Sequence, residues 1–465
     1  MTPMLRALAI TCGLFATAPS ARAELTLDAV LASSLRHFPA IQSAVQETLA
    51  REGRVTGALG AFDLALEQDA KLRTGYYDGR TLSSRVVKPL PLANARAYAG
   101  YRLSNDDFPV YEDEYVTTDG GEFNLGVVLS LWRDRAIDPR RFELATARLG
   151  VREAELDLLL ARITTQRNAS RAYWSWVMAG KRLQVYRELV ALAERRMSAF
   201  EQRVAAGDIA DIFIVENRQN LLRRQALATD ARREFQARAI ELSLYLRDAD
   251  GEPMLPDPSS LPTTLPTADL VVADTEALVG EVIDIRPELA RLETRLAIER
   301  QRLRLAENEL MPRVDLGLKG AHDVGAGPRS RQGLETIVDL TVSIPLETRR
   351  GRGQISEARA RMNQLEIDRT LLEQRLGNEV RKLGTNIEAM REFVALTGDE
   401  AVQAELMEDA ERKRFAAGAS DFFLVNLREE RSADAHIRNL DARLRYLHGV
   451  ADLHAITIDR DALGL

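Results

Sequence analysis

From residue 62 to 76 apolar and polar positions alternate: Phe62, Leu64, Leu66, Ala70, Leu72 and Tyr76 against Asp63, Glu67, Asp69, Lys71 and Arg73. Period-two alternation of that length predicts a strand with one apolar and one charged face. A second such segment, at about 123–132, puts Phe123, Leu125, Val127, Leu129 and Leu131 on one side. Two more follow late in the chain, at about 313–321 (Val314, Leu316, Leu318) and 334–346 (Leu334, Thr336, Val338, Leu340, Val342, Ile344). An ordinary sheet with one wet face fits alternation alone. Nothing else in the chain, however, is strand-like enough to cover four strands.

Elsewhere the period lengthens to three and four. Leu156, Leu159, Ile163, Tyr173, Val177, Leu183, Tyr186, Val190, Met197, Phe200 and Val204 predict one continuous helix, opened by the Asp138-Pro139 cap. Met362, Leu365, Leu372, Leu376, Leu383, Met390 and Val394 predict another. Sustained heptad spacing means coiled-coil packing. At 1.5 Å per residue the first helix would reach roughly 100 Å. Gly207 and Gly418 end these helices, as left-handed capping glycines do, and the chain returns through shorter helices at 209–246 and 422–450. Single helices are also expected at about 27–58 and 275–311.

The two sets of elements are copies. Arg203-Val204-Ala205-Ala206-Gly207 and Arg414-Phe415-Ala416-Ala417-Gly418 lie 211 positions apart. Ala145-Thr146-Ala147-Arg148 and Ala358-Arg359-Ala360-Arg361 lie 213 apart, whereas Phe62 and Val314 lie 252 apart. The first copy therefore carries roughly 40 extra residues between its strands, a stretch at 78–121 expected to form an outer loop. It holds Asp106, Asp107, Glu112, Asp113, Glu114 and Asp119, and part of it, at 96–103, could extend the strands. The expected division is a first repeat at 24–247, a Pro-rich equatorial connector at 248–274, a second repeat at 275–450 with its hairpin at 354–450, and a tail at 451–465. By length, each short returning helix plus the helix that opens the other copy matches one long helix. Four helical columns beneath four strands result.

Composition narrows the class. Residues 1–23 read as an export signal, with Arg6, an apolar run at 7–18 and an Ala21-Arg22-Ala23 cleavage site. The single cysteine, Cys12, falls inside it, so thiol and disulfide chemistry are not expected beyond it. No later stretch is apolar enough for a membrane helix, which leaves a closed barrel as the only way to span a bilayer. A spread of 63 basic and 70 acidic residues argues against nucleic acid. The histidines, His37, His322, His436, His448 and His454, complete no metal spacing, and no phosphate loop or nucleophilic triad is visible. No cofactor and no enzyme activity are expected. Trp132 could join an interfacial girdle, and Trp174 and Trp176 are expected to pack within the helical layer. Gly351-Arg352-Gly353 is expected to ease the strand-to-helix bend.

The ordered set of features resembles the TolC-type outer-membrane efflux protein family over the whole chain after residue 23. The carrying residues are Pro39 followed by Ile41, Pro287 followed by Leu289, and the two Ala-Ala-Gly turns, each followed by an apolar pair and a polar run. The resemblance implies a mainly helical fold with a β-barrel contribution, two repeats of two strands and one hairpin, and a trimer with a twelve-stranded barrel in the outer membrane. It also implies a helical tunnel in the periplasm, a periplasmic adaptor docked on the tunnel tip, and an inner-membrane pump. Four strands cannot close alone, since membrane barrels need at least eight, so association follows from the strands, but the number three only from the family. Tip contacts would be Arg203, Gly207, Asp208, Asp211, Arg414, Gly418 and Asp421. The family often narrows the tunnel with aspartates six and nine residues after the second glycine; here those positions hold Leu424 and Leu427. Their first-copy equivalents are Phe213 and Glu216, so a constriction could be hydrophobic or could use Asp421. The resulting expectation is a passive exit duct for efflux or type I secretion. A periplasmic coiled-coil adaptor without a pore is the alternative, and it would carry one hairpin and no duplicated strands.

Overall fold

The computed structural model describes residues 24–76, 78–106, 116–327 and 332–465. The expected export signal, Cys12 included, and Asp107, Glu112, Asp113 and Glu114 lie outside the described residues. Where one opening helix per repeat was expected, there are two. α1 (Leu27–His37) and α2 (Pro39–Leu59) meet at Phe38; α5 (Thr275–Ile285) and α6 (Pro287–Glu309) meet at Arg286. Proline crowds the residue before it out of the helical region, and both junction residues are extended, with φ/ψ of −70°/124° and −67°/124°. The two prolines thus bend the two copies at the same place.

Six strands, not four, form one antiparallel sheet in sequence order. They are β1 (Ala65–Arg73), β2 (Gly79–Pro89), β3 (Arg96–Asp106), β4 (Glu122–Ser130), β5 (Arg313–Asp323) and β6 (Gly333–Ser343). The expected outer loop at 78–121 is therefore mostly the hairpin β2–β3. Its alternation is thin: Leu82, Val86, Ala99 and Leu103 are separated by serines, arginines and a glycine. Two prolines, Pro89 and Pro91, also lead into the turn, where Ala93 and Asn94 take φ of 48° and 49° and Leu90 N–H donates to the Ala95 carbonyl at 2.8 Å. β4 pairs with β5 from Glu122↔Asp323 to Ser130↔Asp315, which joins the two repeats into one wall.

Directly opposed residues of an antiparallel sheet share a face. One row runs Leu66, Val86, Ala99, Leu125, Gly320 and Thr336; the row beside it on the other face runs Glu67, Arg85, Gly100, Asn124, Ala321 and Glu335. One face is thus mostly apolar, with Arg80, Ser84 and Lys88 of β2 as its main polar positions, and the other is polar.

Below the sheet stand two long hairpins. α3 (Pro139–Ala205) turns into α4 (Ile212–Ser243), and α7 (Arg349–Ala416) into α8 (Phe422–Thr457), with a short α9 (Arg460–Leu463) after it. At 67 and 68 residues α3 and α7 are each roughly 100 Å long. Asp138 caps α3 as expected, its Oδ1 accepting from Arg140 N–H at 2.9 Å.

The columns are stacked differently from the expectation by length. The end of α4 meets α1 and α2 of its own repeat: Arg247 N–H donates to Ser33 Oγ at 2.7 Å, and Phe38 stacks on Tyr245 at 5.2 Å. The end of α8 meets α5 and α6, where Arg286 Nη1 donates to the Ala455 carbonyl at 2.9 Å. Length could not separate the two pairings, because the Pro-rich segment is long enough to carry the chain across α3. It runs from Ser260, whose carbonyl accepts from Leu25 N–H, to Leu270, whose N–H donates to Tyr446 Oη.

Trp176, fully buried, lies against Phe235 and Tyr173, and Trp174 packs beside them, inside the helical layer as expected. α7 begins earlier than expected, so Gly351 is already helical. A Cβ there would lie 2.6 Å from Leu310 Cδ2, so this glycine permits close packing of α7 on α6 rather than easing a bend.

Candidate functional site

Both hairpin turns have the same backbone. Gly207 and Gly418 take φ of +77° and +73°. Asp208 N–H reaches back to the Arg203 carbonyl and Ala419 N–H to that of Arg414, each at 2.9 Å. This is the hydrogen-bond pattern that closes a helix through a left-handed glycine. A Cβ at either glycine would meet nothing within 4 Å, so the requirement is conformational, not steric. A side chain in that region costs about 1–2 kcal/mol. Gly418→Ala is therefore expected to lower the thermal unfolding midpoint. Gly353→Ala, equally open but inside a helix, should hold or raise it, as alanine is the better helix former by about 1 kcal/mol.

The residues expected at the tip divide into two sets. Arg203, Asp208 and Asp211 are exposed, and Asp211 caps nothing with its side chain. Arg414 and Asp421 are already engaged: Arg414 Nη2 donates to the Ala419 carbonyl at 3.2 Å, and Asp421 Oδ1 accepts from Leu424 N–H at 2.8 Å as the N-cap of α8. Among the constriction candidates, Glu216, Leu424 and Leu427 are half-buried. Phe213 faces inward instead, its ring 6.0 Å from Phe200 and 6.4 Å from Phe422. Phe422 also meets Phe200 at 4.9 Å and Phe415 at 6.2 Å. Four phenylalanines from α3, α4, α7 and α8 thus lock the tips together. The neighbouring Phe423 points away and is 64% exposed; it was not among the expected tip residues.

Two turns into α8 lies an ionic cluster that sequence reading missed. Glu429 is fully buried and accepts from three arginines on three other helices. Arg224 of α4, itself 1% exposed, donates Nη2 to Oε2 at 2.8 Å. Arg196 of α3 donates Nη1 to Oε2 at 3.1 Å, with a second, closer bond from Nη2 to Oε1. Arg412 of α7 approaches Oε1 at 3.4 Å. Arg196 also lies over the Phe422 ring and donates to Asn426 Oδ1 at 3.0 Å. Burial alone would raise the Glu429 carboxyl, but the hydrogen bonds and charges of Arg196 and Arg224 outweigh it and hold the carboxyl below its ordinary range. No local pattern marks these positions, because each residue sits singly on its own helix and only the packing of both hairpins brings them together.

The tip is thus a four-helix end with a capped backbone and a charged rim, beneath a one-sided apolar sheet. Residues 278–457, most of the second repeat, match the model of the outer membrane efflux protein family. Over that stretch the chain is similar to outer membrane efflux proteins. No curated protein sequence matches it. Its fold is similar to that of the open state of the outer membrane channel MtrE of Neisseria gonorrhoeae, with a TM-score of 0.64 at 14% identity over 94% of this chain and 89% of that one. The outer membrane protein VceC of Vibrio cholerae gives 0.62 at 15% identity over 93% and 96%, and the CmeC outer membrane channel of Campylobacter jejuni 0.63 at 12% over 98% and 94%. Among the described residues no helix is long and apolar enough to cross a membrane.

Proposed function

We propose that the chain is the exit duct of a tripartite efflux or type I secretion system, a homotrimer that conducts substrate passively from an inner-membrane pump and a periplasmic adaptor through the outer membrane. The observation that carries this reading is the sheet: one mostly apolar face, one polar face, and, among the described residues, end strands β1 and β6 that run antiparallel to each other. An exposed edge is a template for another strand. Pairing β6 of one copy to β1 of the next is a head-to-tail contact, which closes only as a ring. The adaptor would meet the hairpin tips, with Arg203, Asp208, Asp211 and Phe423 as its exposed contacts. The pore-free adaptor reading would leave the second hairpin and the sheet without a role.

The test is fractionation of cells making the full chain, with unboiled and boiled samples compared on gels. We expect an outer-membrane band at about three chain masses that collapses to one on boiling. A photo-crosslinker at Phe423 should join that trimer to a periplasmic partner. A freely soluble periplasmic monomer would overturn the duct, and a trimer that crosslinks to nothing would overturn the docking site.

A further inference from the structure

We infer that the β2–β3 hairpin is part of the transmembrane wall itself, so that each chain contributes six strands and a trimer closes an eighteen-stranded barrel. This rests on the duct reading above and goes beyond it, because the resemblance implies twelve strands and places the inserted segment outside. Three observations carry it.

The first is height. β2 pairs along the full length of β1, from Ala65↔Val87 to Arg73↔Gly79, and β3 pairs with β4 from Arg96↔Val128 to Arg102↔Glu122. The hairpin therefore stands beside its neighbours, not above them. At 11 residues each, β2 and β3 match the roughly 9–11 residues of a tilted membrane strand.

The second is facing. Leu82, Val86 and Leu103 are 50%, 39% and 40% exposed and share the outward face with Leu66, Leu125 and Leu334. An aqueous loop gains nothing from such a row, whereas continuity with the lipid-facing rows on both sides names lipid as its occupant.

The third is interlocking on the polar face. Arg102 of β3 donates to Glu122 of β4 at 2.7 Å, and Lys319 of β5 reaches the same carboxylate at 3.3 Å. Thr81 and Ser104 hydroxyls bond at 3.0 Å across β2 and β3. Tyr98 of β3 lies over Gly126 of β4, where a Cβ would come within 2.5 Å of its ring. Without the hairpin, Gly126 would be a bare gap in β4 and Glu122 would lose one of its two cations.

Barrel diameter grows roughly in proportion to strand number, so eighteen strands give a barrel about 1.5 times as wide as twelve. A wall of that size leaves an open aqueous lumen and suits bulky solutes at the outer end of the duct.

The test uses the full chain in lipid vesicles, with Cys12→Ser and single cysteines carrying a polarity-sensitive fluorophore. Leu82→Cys and Ala99→Cys should be quenched by spin-labelled lipid and shielded from aqueous iodide, and Ser83→Cys and Arg85→Cys the reverse. Leu125→Cys and Asn124→Cys in β4 serve as the reference pair for the barrel. Iodide quenching at all four hairpin positions, with Leu125→Cys still lipid-quenched, would return the hairpin to an aqueous loop and leave the duct standing. Loss of lipid quenching at Leu125→Cys as well would overturn both. End-on particle images give the second readout: a barrel 1.5 times as wide as a twelve-stranded relative supports six strands per chain, and equal width overturns it.

Discussion

Leu125→Arg is expected to abolish the outer-membrane oligomer, whereas Lys71→Glu leaves it in place. Leu125 is 67% exposed on the apolar face of β4, while Lys71 stands opposite Thr81 on the polar face. An arginine at the middle of the lipid-facing wall costs about 2–4 kcal/mol. In the proposed trimer this cost enters three times, roughly 6–12 kcal/mol per assembly, which is comparable to the stability of a whole domain. Charge at Val127 or Leu129 should act alike, less strongly toward the membrane surface. The measurement is the ratio of oligomer to monomer on unboiled gels of membrane fractions. Equal assembly of Leu125→Arg and Lys71→Glu would refute the assignment of faces, and with it the barrel.

Glu429→Ala is expected to be the most destabilising single change in the helical part. Removing one partner of a buried ion pair costs about 3–5 kcal/mol, because the other charge is left buried and unpaired. Here Arg224, 1% exposed, would be stranded between α4 and α8. Glu429→Gln keeps the shape and one accepting oxygen for the arginines and should lose less. The pH dependence has a fixed sign. The folded carboxyl is held below its ordinary value of 4.5, so the contribution is complete above that value and disappears as pH falls through the folded pKa. Thermal unfolding midpoints of the helical signal at neutral pH and below pH 4.5 check both points. The native chain should lose stability over that range, and Glu429→Gln should lack that part of the loss. Identical midpoints for Glu429→Ala and the native chain would show that the cluster holds nothing together.

The periodicities of 2 and of 3.6 were legible because they are written by consecutive residues. Leu66 to Leu72 and Phe123 to Leu129 declare a strand and its apolar face whatever surrounds them, and the heptads of α3 and α7 declare long coiled helices. The copies were legible for a related reason: Gly207 and Gly418 are fixed by a local backbone need, a positive φ, that few other residues meet. The β2–β3 hairpin is hard to tell from a loop in sequence, apart from the stretch at 96–103, because its apolar residues are few and widely spaced. What makes it sheet is a neighbour on each side, and that information lies in β1 and β4. The bends at Phe38 and Arg286 are signalled only by the two prolines, since the apolar period runs on through them.

At the tip the division is sharper. Sequence named the turns and their charged rim, but not which charges are free. Asp421 is spent on capping α8 and Arg414 on closing α7, while Phe213 turns into the aromatic lock. The Glu429 cluster had no signature at all, because Arg196, Arg224, Arg412 and Glu429 are brought together only by the packing of four helices.

By itself, then, the sequence determined the element types, their duplication, the two turns and the one-sided apolar strands, since each follows from the conformational preferences of neighbouring residues. Tertiary structure alone decided the number of strands in the wall, which short helix stacks on which, and where the buried charges meet. Those depend on pairing free energies between segments far apart in the chain, which no window of consecutive residues contains.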